Sequence, residues 1–91
     1  MSKNVETKIK KIVSEMEGRL GNDPGIPRNI KRSIQDASAY LLDASKDTDL
    51  RVSGAISILA DVSNDVNMPM DSWSTIMQIL SELEIVLKSL N

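Results

Sequence analysis

The segment "PMDSWSTIMQILSELEIVLKSL", residues 69–90, decides the fold because it carries the longest amphipathic pattern in the chain. Its first residue, Pro69, suits the start of a helix, where the backbone N–H groups have no partner within the helix. At 100° per residue, the apolar side chains that follow cover about half of the helix circumference. These side chains are Trp73, Ile76, Met77, Ile79, Leu80, Leu83, Val86, Leu87 and Leu90. The pattern predicts a helix from about residue 69 to residue 90 with a wide apolar face.

Three more segments have apolar residues at helical spacing, and none shows the alternation that is typical of a strand. The first stripe is Val5, Ile9, Ile12, Val13 and Met16. The second is Ile30, Ile34, Ala37, Leu41 and Ala44, and the third is Val52, Ala55, Ile56, Leu59 and Val62. Short connections favour antiparallel neighbours. We therefore predict an all-α fold, a four-helix up-and-down bundle of two antiparallel helical hairpins, as a single domain over residues 1–91.

A weak internal similarity relates the two predicted hairpins. Pro27 and Ile34 align with Pro69 and Ile76 at an offset of 42 residues. Two hairpins of similar build, as in HEAT-type repeats, would explain this match. Chance is the other explanation, because any two amphipathic helices can be aligned in this way. The sequence leaves open whether the hairpins form a bundle or stack like HEAT repeats.

The chain contains no cysteine and no histidine among its 91 residues. This excludes disulfides and thiolate nucleophiles, and it removes the commonest general base and the commonest transition-metal ligand. We predict no catalytic residue, no metal and no cofactor, in a protein that is not an enzyme. The N-terminal residues lack the apolar region of a signal peptide, and no apolar run reaches the roughly 20 residues of a membrane span. The expected location is the cytoplasm, with no membrane partner.

The segment "DVSNDVNMPMDSW", residues 61–73, carries three aspartates and raises the question of a calcium loop. An EF-hand loop needs oxygen ligands at positions 1, 3 and 5, glycine at position 6 and glutamate at position 12. The first three positions fit, but Val66 and Ser72 stand where glycine and glutamate are needed. We interpret the segment as a turn between two helices, in which acidic side chains act as caps and Pro69 starts the next helix.

The stretches "AISILADVSNDVNMP", residues 55–69, and "PRNIKRSIQDA", residues 27–37, resemble an archaeal uncharacterised protein family (UPF) of short, all-helical proteins. The resemblance extends from Gly25 to Glu84, and its most specific part is an "SND-x-NMP" signature. This chain has Val66 where we expect proline, a change that would loosen the turn without moving it. The resemblance implies an all-helical bundle and an archaeal, cytoplasmic origin, and it implies no activity.

The wide apolar face of the fourth helix is the best indication of function. A bundle helix needs about three core positions per heptad, and this helix has more. Trp73, Ile79, Val86 and Leu90 are the candidates for a partner interface, through which the protein would self-associate or bind another protein. The alternative is that the fourth helix is simply the most central of the four. The sequence favours a small non-enzymatic interaction or structural protein, and it names no partner and no oligomeric state.

A basic cluster at the start of the second helix offers a different function. Arg28, Lys31 and Arg32 lie where positive charge opposes the helix dipole. Cations beside free N–H groups can bind phosphate, so the alternative function is contact with the backbone of RNA or DNA. The net charge of −2 argues against a dedicated nucleic-acid binder. The charge is unevenly distributed, since residues 1–46 carry +3 and residues 47–91 carry −5.

Overall fold

The computed structural model describes residues 2–90, which form four α-helices. They are α1 (Ser2–Arg19), α2 (Arg28–Leu41), α3 (Thr48–Ser63) and α4 (Met70–Ser89). The prediction of an all-α four-helix bundle is confirmed. The helix expected over residues 69–90 differs from α4 by one residue at each end. The described part of the chain contains no helix that could serve as a membrane span.

The helices form a ring in which the backbone of each one packs against two neighbours. Both α1 and α3 contact α2 and α4, while the pairs α1–α3 and α2–α4 lie across the ring from each other. The bundle measures 37 × 19 × 18 Å. Its core is aliphatic, as a chain with only two aromatic residues requires. The largest fully buried side chains are Ile9, Met16, Leu20, Ile30, Leu41, Val52, Leu59, Ile76, Ile79 and Leu83.

The three linkers between the helices share one hydrogen-bonded turn. In each, an aspartate carboxylate accepts a hydrogen bond from the backbone N–H two residues later, at 2.8 to 3.0 Å. The carbonyl of the same aspartate accepts a bond from the N–H three residues later. The aspartates are Asp23, Asp43 and Asp65. Such turns reverse the chain with local bonds alone, and the next helix begins five residues after each aspartate.

The repeated linker accounts for part of the internal similarity in the sequence. The offset of 42 residues between Pro27 and Pro69 is also the offset between Asp23 and Asp65. The interpretation of residues 61–73 as a turn is confirmed, because α3 ends at Ser63 and α4 begins at Met70.

Val66 occupies a position in the third turn that favours proline. It directly follows Asp65, just as Pro24 follows Asp23 in the first turn. Its side chain is 95% exposed, and its backbone N–H donates no hydrogen bond within residues 2–90. Proline at this position restricts the unfolded chain without removing a native contact. We expect Val66→Pro to raise the free energy of unfolding by about 0.5 kcal/mol, as measured by urea denaturation.

Asn67→Pro is the matched control, one residue further along the same turn. It removes the N–H that donates to the Asp65 carboxylate at 2.8 Å, and it places proline where this turn disfavours it. We expect this variant to be less stable than the wild type. If Val66→Pro also lowered stability, the turn would not have the geometry that its hydrogen bonds indicate.

Candidate protein-interaction face

A row of exposed apolar side chains runs along the first half of α4. Met70, Trp73 and Met77 are spaced i, i+3 and i+7, which places them on one side of the helix. Their exposed fractions are 74%, 40% and 39%. Val66, in the linker that precedes α4, is also exposed. We call these four residues the Met–Trp face. A cluster of exposed apolar side chains on a small protein is typical of a binding surface.

A cleft lies at one end of the Met–Trp face. It is lined by Asp65, Met68, Met70 and Trp73. Methionine side chains are flexible and polarisable, and tryptophan provides a large rigid surface. The cleft can therefore accommodate apolar side chains of different shapes.

An acidic side chain lies at each end of the face. Asp65 lines the cleft, and the exposed Glu84 follows Met77 by seven residues, on the same side of α4. Between Arg51 and Lys88 the chain has five acidic residues and no basic residue. Within residues 4–90, no lysine or arginine nitrogen lies within 4.0 Å of either carboxylate. The face is apolar along its length, and both signs of charge lie near its ends: Lys88 follows Glu84 by one turn, and Asn29 of the basic helix start contacts Asp65.

The basic cluster lies at the end of the bundle where α2 begins. Arg28 and Arg32 are exposed and Lys31 is half-buried. None of the three has a carboxylate oxygen within 4.0 Å in the described part of the chain. No side chain caps the first turn of α2. Asn29 donates a hydrogen bond to Asp65 at 3.4 Å, so the cluster lies beside the linker between α3 and α4.

Comparison with known proteins identifies the family. Residues 1–86 match the uncharacterised protein family UPF0147. The chain belongs to this family. It is 40% identical to the UPF0147 protein TK2131 of Thermococcus kodakarensis over 78 residues, which cover 86% of this chain and 94% of that protein. It is 38% identical to the UPF0147 protein of Methanothermobacter thermautotrophicus over 74 residues, which cover 81% of this chain and 72% of that protein.

A solved structure of similar fold extends the comparison. The crystal structure of unknown function protein MMP1188 has a TM-score of 0.80 and 36% sequence identity to this UPF0147 protein. The match covers 85% of this chain and 86% of that chain. The predicted resemblance to an uncharacterised family with archaeal members is confirmed at this level. The "SND-x-NMP" signature stays a prediction.

Two of the four residues predicted to form a partner interface are buried within the UPF0147 bundle. Ile79 and Val86 are 1% and 3% exposed, so their side chains face the protein's own core. The prediction was wrong for these two because α4 contacts both α1 and α3, and a helix with two neighbours needs a wide apolar surface for its own packing. Trp73 belongs to the Met–Trp face, and Leu90 is half-buried against the core beyond the far end of α4.

A groove between α1 and α4 brings together two acidic residues that are distant in the sequence. Glu15 and Glu82 line it. Burial raises the pKa of Glu82, the charge of Glu15 raises it further, and Lys11 and Arg19 offset part of this effect. One oxygen of Glu82, Oε1, is buried without a hydrogen-bond partner among the described residues. Ionisation of Glu82 is therefore less favourable in the folded bundle than in the unfolded chain.

Replacing Glu82 with glutamine should stabilise the protein at neutral pH. The pKa of Glu82 in the folded state lies above 4.5, so wild-type stability should fall as the pH rises from about 4.5 through that raised value. The glutamine variant has no carboxyl group at this position, so its stability should not fall in this way as the pH rises. We expect its melting temperature to exceed that of the wild type by a few degrees at pH 7, and the difference to vanish near pH 4, measured by circular dichroism.

The exposed residue Glu17 provides the control for this measurement. Glu17→Gln removes the same charge from the surface of α1, and it should not reproduce the pH-dependent gain. An equal gain from both variants would mean that total charge, rather than the burial of Glu82, sets the pH dependence.

Sequence reasoning missed Arg51, a buried cation that joins three helices. Its guanidinium donates to both carboxylate oxygens of Glu6 in α1, at 2.9 and 3.1 Å. Its Nε donates to the carbonyl of Leu41, the last residue of α2, at 2.8 Å. The available signal was the position of Arg51 four residues before Ala55, on the apolar stripe of α3, where an unpaired cation would not be tolerated.

Proposed function

We propose that this UPF0147 protein is a non-catalytic, cytoplasmic interaction module that binds another polypeptide through the Met–Trp face. The observation that carries the proposal is the exposure of Met70, Trp73 and Met77 in a row on one side of α4. The apolar surface that the bundle needs for its own core is already supplied by other residues of the same helix, such as Ile79 and Leu83. The exposed parts of these side chains are therefore apolar surface that packing within the chain leaves uncovered.

The residue types on the face support this role. Tryptophan and methionine are enriched at protein interfaces, and tryptophan is prominent among the residues that dominate binding energy. The flexible side chains of Met68 and Met70 line the cleft beside Trp73. Surface complementarity would be the whole mechanism, with no chemical step.

Site-specific photo-crosslinking tests the proposal directly. A benzophenone amino acid would replace Met77 in the full chain, in cells that carry the gene. The same amino acid at Ser14, an exposed position on α1, provides the control. Adducts would be isolated by a tag on this chain, and their mass would be measured.

We expect a polypeptide adduct at position 77 that is absent at position 14. An adduct of twice the chain mass would identify a second copy as the occupant, and any other discrete mass would identify a different protein. If position 77 gave no adduct, or the same adducts as position 14, the Met–Trp face would not be a binding surface.

The second candidate function is binding to the phosphate backbone of a nucleic acid. The observation that favours it is that no carboxylate among the described residues pairs with Arg28, Lys31 or Arg32, beside the uncapped first turn of α2. Replacing all three with glutamine should abolish a salt-sensitive affinity for single-stranded RNA. If the wild type shows no such affinity at low salt, this candidate is excluded.

A further inference from the structure

We propose that Met70 and Met77 are sites of reversible oxidation, and that their conversion to methionine sulfoxide stops binding by the Met–Trp face while the bundle stays folded. The oxidant is a hydroperoxide, either hydrogen peroxide itself or an organic hydroperoxide. This inference rests on the proposed function and adds the regulation of the same surface.

The distribution of sulfur in the chain is the first argument. The chain has no cysteine, so its five methionines carry all of its sulfur. Three of them, Met68, Met70 and Met77, lie within residues 68–77, in or just before the start of α4. Thioethers are readily oxidised, and in this chain no thiol competes with them for the oxidant. Oxidation is therefore concentrated on one surface of the protein.

Exposure separates the methionines of the face from the methionine of the core. Met70 is 74% exposed and Met77 is 39% exposed, whereas Met16 is fully buried. The sulfur of Met16 also accepts a hydrogen bond from the Ser38 hydroxyl at 4.0 Å. A hydroperoxide must reach the sulfur atom before it can react. The fold thus leaves the methionines of the face open to oxidation and protects the one in the core.

The chemical step is the transfer of one oxygen atom. The thioether sulfur attacks the outer oxygen of the hydroperoxide, so that an S–O bond forms and the O–O bond breaks. Sulfur loses two electrons, and the proton of the outer oxygen moves to the departing oxygen, which leaves as an alcohol or as water. A methionine sulfoxide reductase reverses the change by using a dithiol, which becomes a disulfide as water is released.

The product changes the part of the face that a partner must contact. A sulfoxide oxygen is a polar acceptor, and covering it with an apolar surface is unfavourable unless a donor is present. Met70 precedes Trp73 by three residues and Met77 follows it by four, so the two sulfur atoms flank the tryptophan on one side of α4. A partner that contacts Trp73 would therefore also cover an oxidised side chain.

Timed oxidation of the full chain tests the selectivity. The folded protein would be treated with dilute hydrogen peroxide, and peptide fragmentation in a mass spectrometer would assign each added oxygen to its methionine. We expect Met70 to be oxidised at least about tenfold faster than Met16, and the two rates to become similar in urea. The melting temperature of the oxidised chain should stay within about 3 °C of the untreated value. Equal rates in the folded protein, or loss of the fold on oxidation of Met70, would overturn the inference.

Photo-crosslinking tests the effect on binding. The tagged chain with benzophenone at position 77 would be oxidised at Met70, freed of peroxide, mixed with cell extract and irradiated. We expect oxidation to lower the yield of the adduct defined in cells several-fold, and treatment with a methionine sulfoxide reductase to restore it. In Met70→Leu, an apolar side chain of similar size cannot be oxidised, so peroxide should leave the adduct unchanged. A chain with benzophenone at position 70 tests Met77 in the same way.

The outcomes separate this inference from the proposed function. If the oxidised and untreated chains gave the same adduct in equal yield, the inference would be wrong and the proposed function would stand. The same holds if peroxide lowered the adduct equally in the Met70→Leu chain, because the oxidant would then act at another residue. If the untreated chain gives no adduct at position 77, the proposed function is wrong and the inference fails with it.

Discussion

Replacing Arg51 with alanine is expected to lower the free energy of unfolding by about 2 kcal/mol, through the loss of its hydrogen bonds and its buried side chain. The side chain of Arg51 is only 8% exposed, and it makes three hydrogen bonds to two other helices. Its removal leaves the Glu6 carboxylate without its partner and leaves the terminal carbonyl of α2, at Leu41, without a donor. Urea denaturation of the purified variant at pH 7 measures the loss.

The ion pair between Lys46 and Asp43 provides a matched control. It lies in the linker between α2 and α3, with both side chains about one-third exposed. Exposed pairs of this kind contribute little because solvent screens them. Lys46→Ala should therefore lower the free energy of unfolding by less than about 1 kcal/mol, including the loss of its contact with the Tyr40 ring. If Lys46→Ala lowered the free energy of unfolding as much as Arg51→Ala does, the burial of Arg51 would not be the reason for its contribution to stability.

The pH dependence gives a second readout for Arg51. Its hydrogen bonds and charge hold the pKa of Glu6 below the ordinary value of 4.5. A lowered pKa in the folded state contributes stability above about pH 4.5, and this contribution is lost as the pH falls through the lowered value. The difference in stability between the wild type and Arg51→Ala should therefore shrink when the pH is taken below 4.5. A difference that stays constant would mean that Arg51 acts through packing alone.

The fold was predictable because it follows from local patterns. The apolar periodicity of α4 and the position of Pro69 were enough to place that helix to within one residue. The short linkers require consecutive helices to run antiparallel. In each linker an aspartate accepts the hydrogen bonds that stabilise the turn. These features depend on residues within one turn or one helix, so a single sequence contains them in full.

The assignment of surface residues was less predictable because it depends on the neighbours of each helix. Ile79 and Met77 are both apolar residues of α4, yet Ile79 is buried and Met77 is 39% exposed. Periodicity identifies the apolar side of a helix, but only packing against α1 and α3 determines how much of that side is covered. The pairs Glu15–Glu82 and Glu6–Arg51 could not be predicted from the sequence for the same reason, because the two residues of each pair lie on different helices.

Gly54 in α3 lies against the ring of Tyr40 from α2, and Gly54→Ala should lower the free energy of unfolding by about 2 kcal/mol. In a helix interior this change normally stabilises, because alanine is the better helix former. Here a Cβ atom would lie 2.1 Å from Cε1 of Tyr40. The Tyr40 ring also lies 5.0 Å from the ammonium of Lys46, a contact that favours its present position. The ring or the helices must therefore move to admit the methyl group.

Gly18→Ala in α1 is the matched control, since no atom lies within 4 Å of a Cβ placed there. It should raise the free energy of unfolding by about 0.5 kcal/mol. The two substitutions are chemically identical and both lie within helices. If Gly18→Ala stabilises the protein and Gly54→Ala destabilises it, the difference must come from the contact with Tyr40, because the helix preference of alanine is the same at both positions.

A double-mutant cycle with Tyr40→Ala identifies the cause of the loss. Without the aromatic ring the space beside Gly54 is open, so Gly54→Ala should become neutral or stabilising in that background. The coupling energy between the two positions should then exceed about 1 kcal/mol, as is typical for residues in direct contact. If Gly54→Ala destabilised the protein equally in both backgrounds, the loss would not come from contact with the tyrosine ring.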